Sequence, residues 1–435
     1  MRGAVKFGHA GGAGSATMGR MTLRLAFFLS FLSTAVVSSS DWPQWRGPAR
    51  TGQVPEVEAV TKLPDEAKST WHIPVGEGFA SPVVAGGKVF YLDNKDAKEF
   101  GHALDAATGK ELWQAEIGSS HKDGFGIGPR TTPLADGDRV YFQSAKGELH
   151  CHAAADGKLI WRTNFVDDLG AVYFGEKGSA AGASRHGATG SPLIDGGNLI
   201  AQVGSESGAS IVAFNKLDGK VVWKSQNDQT AYAAPIIATV CGVKQFISFT
   251  VDGLIGLDPA DGKLLWRQPM TTRLGRHVTT PVVVNDIVIV ASHQLGTVGT
   301  QISREGTGFS AKEAWVNKKI LTNFSSPVVV GNHLYGLGSN KDFICIDTKT
   351  GEPTWNQTGF INTSADQAEA AFLIMGKNIA ALTDSGEFIL YAADPKAFQE
   401  IGRLQVCGKT WCNPAYADGS LFLRDNKELR RVELK

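Results

Sequence analysis

One stretch returns along most of this chain and limits what it can fold into. His102-Ala103-Leu104-Asp105-Ala106-Ala107-Thr108-Gly109-Lys110-Glu111-Leu112-Trp113 is echoed by Asp156-Gly157-Lys158-Leu159-Ile160-Trp161 and by Asp218-Gly219-Lys220-Val221-Val222-Trp223. Asp261-Gly262-Lys263-Leu264-Leu265-Trp266 and Thr350-Gly351-Glu352-Pro353-Thr354-Trp355 are further copies. Each has a Gly four residues before a Trp. Self-similarity of this kind sets the architecture before any local motif is weighed. The unit reads as a hairpin: an apolar strand, a Thr-Gly or Asp-Gly turn, and a second strand bearing the Trp. Gly supplies the positive φ of a tight turn, and Asp or Thr beside it bonds the turn backbone. A Trp repeated once per unit is a packing anchor between neighbours.

Each unit opens on a small residue followed by Pro: Ser81-Pro82, Thr132-Pro133, Ser191-Pro192, Ala234-Pro235, Thr280-Pro281, Ser326-Pro327 and Asn413-Pro414. Successive spacings are 51, 59, 43, 46, 46 and 87. The last holds one more unit, without Pro, starting near Ala371. Pro at the first residue of a strand loses no ladder bond. Four short strands per unit at a period of roughly 40–50 residues describe propeller blades. The expected fold is therefore all-β, an eight-bladed β-propeller of four-stranded antiparallel blades. Its eighth unit, from Asn413, has room for three strands, and the Trp strand around Trp71 has no first three strands before it. An N-terminal strand completing the C-terminal blade would close the ring and remove two free edges. Two units depart from the pattern. Unit five lacks the Gly turn, and unit seven lacks the Trp, so their docking should differ.

Residues 1–40 read as a secretory signal region, with Arg20 and Arg24 before the apolar run Leu25–Val37 and then Ser38-Ser39-Ser40. The chain is expected to be exported, to a periplasm or beyond. Residues 41–68 form an irregular N-terminal segment that opens Asp41-Trp42-Pro43-Gln44-Trp45-Arg46-Gly47-Pro48 and continues as a polar connector. The propeller takes 69–435. Charge is balanced, 43 basic against 43 acidic residues, which gives no electrostatic case for a nucleic-acid partner. Of the five Cys, Cys151 and Cys345 share one small-residue position of the repeat. Cys407 and Cys412 could close a disulfide in an oxidising compartment.

The Ala-x-Asp-x-x-Thr-Gly-x-x-x-Trp pattern of Ala103, Asp105, Thr108, Gly109 and Trp113 resembles the propeller repeat of pyrroloquinoline quinone (PQQ) dehydrogenases. The resemblance covers nearly everything after residue 69 and implies eight blades. It extends to non-enzymatic relatives such as the outer-membrane assembly factor BamB. It implies Trp71, Trp113, Trp161, Trp223, Trp266, Trp315 and Trp355 as blade-docking residues. Quinone-dependent members usually carry two adjacent Cys and hold Ca²⁺ with carboxylate and amide ligands. Adjacent Cys are absent here. PQQ and Ca²⁺ belong to the alternative reading, an alcohol or sugar dehydrogenase with an atypical site.

Loops entering each first strand converge on the central channel of a propeller. Candidate ligand-binding residues on them are Arg130, Arg185, His186, Tyr232, Arg276, His277, Asn323, Trp411 and Asn413. Arginine or histidine there could hold an anion through charge-assisted bonds. No catalytic or metal-binding set is expected. The favoured reading is a monomeric binding or scaffold module of the cell envelope. Its partner would be an envelope protein, or a small or polymeric ligand, and not a nucleic acid.

Overall fold

The computed structural model describes residues 40–173, 186–322, 324–364 and 368–435. They form eight four-stranded antiparallel sheets, each consecutive in sequence except the last. That sheet takes three strands from the C-terminus, and its outer strand is Lys68–Pro74. Trp71 pairs there with Arg431, and Pro74 with Glu428. The expected closure of the ring is thus present, with blade 1 over 83–119 and blade 8 shared by both ends of the chain.

The repeat motif is explained by contacts between blades. Five outer-strand indoles lie on the Gly turn of the next blade. A Cβ built on Gly109 would stand 2.7 Å from the Trp71 ring, and on Gly157 2.6 Å from Trp113. The same holds for Gly219 with Trp161, Gly262 with Trp223 and Gly351 with Trp315. The indole N–H then donates to a carbonyl of that turn: Trp71 to Ala106, Trp113 to Ala154, Trp161 to Lys216, Trp223 to Pro259 and Trp315 to Thr348. Trp355 donates likewise to Asp394 O of blade 7, in a turn without Gly. Each latch therefore joins apolar burial to a satisfied donor. Opposite each of these Trp except Trp71, and opposite Trp266, stands a small residue of the same sheet: Ala103, Cys151, Ala213, Gly256, Gly299 or Cys345. That pairing accounts for Cys151 and Cys345.

The two irregular units behave as their sequences imply. Blade 5 replaces the Gly turn by a long hairpin, Gly296–Glu305 with Gly308–Asn317. The Trp266 indole finds no turn carbonyl there and donates instead to Gln245 Oε1 of its own blade at 2.6 Å. Blade 7 has no Trp. Beside Gly402 on its outer strand packs Leu63 of the N-terminal segment. Residues 49–68 are therefore not simply a polar connector. Val54, Val60 and Leu63 are buried in the core shared by blades 7, 8 and 1, and the Tyr416 hydroxyl donates to Glu58 O. Their apolar spacing is too sparse for a regular element, which is why the stretch reads as polar.

The segment ahead of it lies across the channel. Trp42 exchanges two backbone bonds with Val84 of blade 1, and Pro43 O accepts from Ala135 of blade 2. Arg50 donates to Ser191 O and Pro192 O of blade 3, both at 2.8 Å. The Trp45 indole reaches Thr280 Oγ1 of blade 5, Arg46 reaches Pro327 O of blade 6, and Gly52 and Val54 pair with Ile374 of blade 7. A segment bonded to inner strands on all these sides must fill the lumen. Arg46 and Arg50 are both buried, and their partners are carbonyl and amide oxygens.

All five cysteines are free thiols, which corrects the Cys407–Cys412 disulfide. The loop between them is fastened instead by Thr410 Oγ1 to Arg424 O and by Gly408 N to Asp425 Oδ2. Those bonds set Cys407 into the blade 8 core and leave Cys412 beside Arg424. Residues 1–39 are outside the described part, and with them the expected signal region. Among the described residues no helix is long and apolar enough to cross a membrane.

Candidate functional site

The channel above the plug is a cup of about 160 Å³. Its wall is built from one register position repeated around the ring. Phe79, Arg130, Thr189, Tyr232, Val278, Phe324 and Trp411 each stand four residues before the first residue of their blade's inner strand, and all line the cup. Glu369 fills this position in blade 7, where the inner strand starts early at Ala370. The plug's contacts fall further along the same strands, so Trp45 forms the floor. A second tier nearer the loops adds Phe125, His186 and Arg276.

Aromatic rings dominate this wall. Phe324 and Trp411 stack at 5.6 Å between centroids, and Phe125 packs on both at 5.6–5.9 Å. Phe79 lies 5.8 Å from Trp411 and under the Arg130 guanidinium, which sits 4.8 Å from its centroid.

The polar groups sort into a balanced set and an unbalanced one. Asp123 lies 2.9 Å from Arg130 and accepts from His186 Nδ1 at 2.5 Å and from Phe125 N at 2.8 Å. Burial would raise the Asp123 carboxyl, but the His186 bond and the Arg130 charge outweigh it and hold it well below the usual range. The Arg130 charge is thus matched. Arg276 differs in that among the described residues it makes no ion pair; its Nε, like that of Arg130, is buried without a hydrogen-bond partner. Glu369 is buried, and burial followed by the nearby Asp384 charge pushes its carboxyl well above the usual range. Burial thus favours its neutral form, which can donate a proton in a hydrogen bond.

Behind Arg130 stands Glu99, fully buried, with Oε2 accepting from Ala145 N and Oε1 unpartnered. Burial raises its pKa to about 8, against the pull of the Ala145 and His121 amides and Arg130. A carboxyl whose folded pKa exceeds its unfolded value favours the fold fully only below the unfolded value. That contribution is lost as pH climbs from about 4.5 to about 8. Glu99→Gln, which fixes the neutral form, should therefore gain thermal stability on the wild type as pH rises from 5 to 8.5. Parallel melting curves across that range test it. A constant difference between the two proteins would refute the buried neutral acid.

Of the residues singled out from sequence, Arg130, His186, Tyr232, Arg276 and Trp411 meet at the cup. His277 does not: it is fully buried in the wall, stacked 4.0 Å from Phe249, with Nδ1 donating to Thr250 O. Burial lowers its pKa to about 4, so it is neutral and structural. Asn413 is also off the lining; its backbone amide donates to Ser81 Oγ across the closure between blades 8 and 1. Thr132 N to Ser191 Oγ and Thr280 N to Ser326 Oγ repeat that stitch, giving the small residue before Pro its role. Arg185 and Asn323 lie outside the described residues. Sequence reasoning missed Trp45, Phe79, Phe125, Asp123 and Glu369.

The donor set does not suit a quinone held with Ca²⁺. Among the described residues Glu369 is the carboxyl lining the cup, and its burial favours the neutral form. The Asp123 oxygens are taken up by Arg130, His186 and Phe125. Among the described residues no three His, Cys, Asp or Glu are grouped to hold a metal. A hard cation needs several oxygen ligands together.

Eight sheets, most of them latched to the next through the PQQ-like repeat, define this molecule as a PQQ-like β-propeller with a plugged lumen. Within that class the chain belongs to the family described as outer membrane protein assembly factor BamB, whose sequence profile it matches over residues 97–357. It is 23% identical to the assembly factor BamB of Yersinia pestis over 403 residues, 85% of this chain and 91% of that protein. The Burkholderia pseudomallei factor is likewise 23% identical, over 74% of this chain and 87% of its own length. The crystal structure of BamB from Moraxella catarrhalis superposes with a TM-score of 0.57 at 15% identity, over 84% of this chain and 99% of that one. The computationally designed Ika8 protein gives the same TM-score at 10% identity, covering 83% of this chain.

Proposed function

We propose that this chain is an exported, monomeric scaffold of the cell envelope that serves outer-membrane protein assembly, and that its ligand or partner meets the loop face around the cup. The observation that carries the reading is the match to the assembly-factor family across most of the blades. The aromatic wall with an unmatched Arg276 supports a binding role for that face.

Fractionation followed by site-directed cross-linking tests it. A photo-reactive residue at Lys409, beside the mouth next to Trp411, should capture an outer-membrane assembly protein from the envelope fraction. The same probe at Lys349, on an exposed outer turn, should capture far less. Recovery in the cytosol, or equal capture at both positions, would overturn the reading. So would dye-linked alcohol or sugar oxidation by purified protein supplied with PQQ and Ca²⁺.

A further inference from the structure

We propose that the cup binds a small monoanionic aromatic acid, with its ring against Phe324 and Trp411 and its carboxylate on Arg276. This names a ligand for the loop face and so rests on the reading of that face as the binding face.

Size, shape and charge carry the assignment. A cavity of about 160 Å³ matches the roughly 150 Å³ that one benzene ring fills in a dry apolar site. It is too small for a fused polycyclic group and leaves the carboxylate directed to the mouth. The walls offer ring faces on several sides, from Phe324, Trp411, Phe125 and the Trp45 floor. Offset and edge-on contacts between rings favour an aromatic guest over a saturated one of equal size. The charge of Arg130 is answered by Asp123, whereas Arg276 has no acidic partner among the described residues. The Nε of each is buried without a bond, so the contrast rests on charge. One negative charge on the ligand completes the site. Burial favours the neutral form of Glu369 on the cup wall, a form that donates to a carboxylate and repels no anion. A dianion would leave its second charge facing Asp123 or bare aromatic wall.

Benzoate is the probe, with cyclohexanecarboxylate and benzyl alcohol as comparators that each lack one feature. Calorimetry and the quenching of Trp45 and Trp411 fluorescence follow their titration into the full-length protein. Benzoate should bind one to one, at least about tenfold more tightly than either comparator. Arg276→Gln should weaken benzoate by about tenfold or more and leave benzyl alcohol unchanged. Phe324→Leu should weaken both. Failure of benzoate to saturate by about 10 mM, or equal affinity for all three compounds, would overturn the assignment without recourse to any variant. Unchanged benzoate affinity in folded Arg276→Gln would do the same. The cross-linking arm separates this from the scaffold reading. Envelope capture without benzoate binding removes the ligand and leaves the scaffold. Benzoate binding without envelope capture supports the ligand and removes the scaffold.

Discussion

Arg50→Ala should cost about 2–4 kcal/mol of folding stability and release the plug from the channel. Arg50 is buried and donates to Ser191 O, Pro192 O and Gln44 Oε1. Two effects oppose each other here. Burial disfavours the charge, aided by Arg46, and lowers the Arg50 pKa to about 9, so removing the guanidinium relieves some desolvation. Against that, alanine leaves carbonyls of the blade 3 inner strand dry and unbonded, and it leaves a void. Since the group stays charged at neutral pH, and each charge-assisted bond contributes about 1.5–3 kcal/mol, the lost bonds win. Arg50→Lys keeps the charge but not the fork that reaches two carbonyls, and should recover less than half of the loss. Urea unfolding of the three proteins measures this. Limited proteolysis should then cut the variant first within 41–54. A variant as stable and as resistant as the wild type would mean that the segment merely rests in the lumen.

Gly219→Ala is the second large effect, about 2–5 kcal/mol, and Gly196→Ala is its control at about 1 kcal/mol. Both glycines have positive φ, +72° and +59°, so each alanine carries the cost of left-handed backbone. They differ in what the new methyl meets. At Gly196 nothing lies within 4 Å, while at Gly219 the Trp161 ring is 2.6 Å away. That ring cannot retreat without breaking its bond to Lys216 O at 3.1 Å. The difference between the two variants thus isolates the inter-blade latch from turn strain. Equal melting temperatures would show that the Gly of the repeat serves the turn alone.

The fold was legible because its signals are local and repeated. The Gly turn and Trp occur within a few residues of each other, and the same spacing marks both the docking surface and what docks on it. The strand around Trp71, with no companions before it, pointed to the shared blade. The site was legible only in part. Phe79, Arg130, Thr189, Tyr232, Val278, Phe324 and Trp411 each stand three residues before a blade's Pro, a rule that could have been read from sequence and would have added Phe79. Glu369 escapes it because blade 7 has no such Pro. Asp123 and Phe125 lie in a loop without repeat signal, and Asp123 acts through Arg130 and His186, which are distant along the chain. The plug was least legible. Trp45 and Arg46 read only as part of an irregular segment and Arg50 as part of a polar connector, because their partners are mainly backbone carbonyls, which leave no mark on composition. The Cys407–Cys412 pairing failed for a related reason: proximity in sequence says nothing of the loop bonds that orient the thiols.

Lys68–Pro74 finds its sheet partner in Glu428–Glu433, with every other blade lying between them along the chain. A folding polypeptide must therefore carry the earlier strand unmatched until the later one is available. A chain cut between the two leaves an arc with bare edges in place of a smaller ring. The shared sheet thus makes the closed molecule all-or-none, and one that lacks either partner stays open to aggregation and proteolytic clearance.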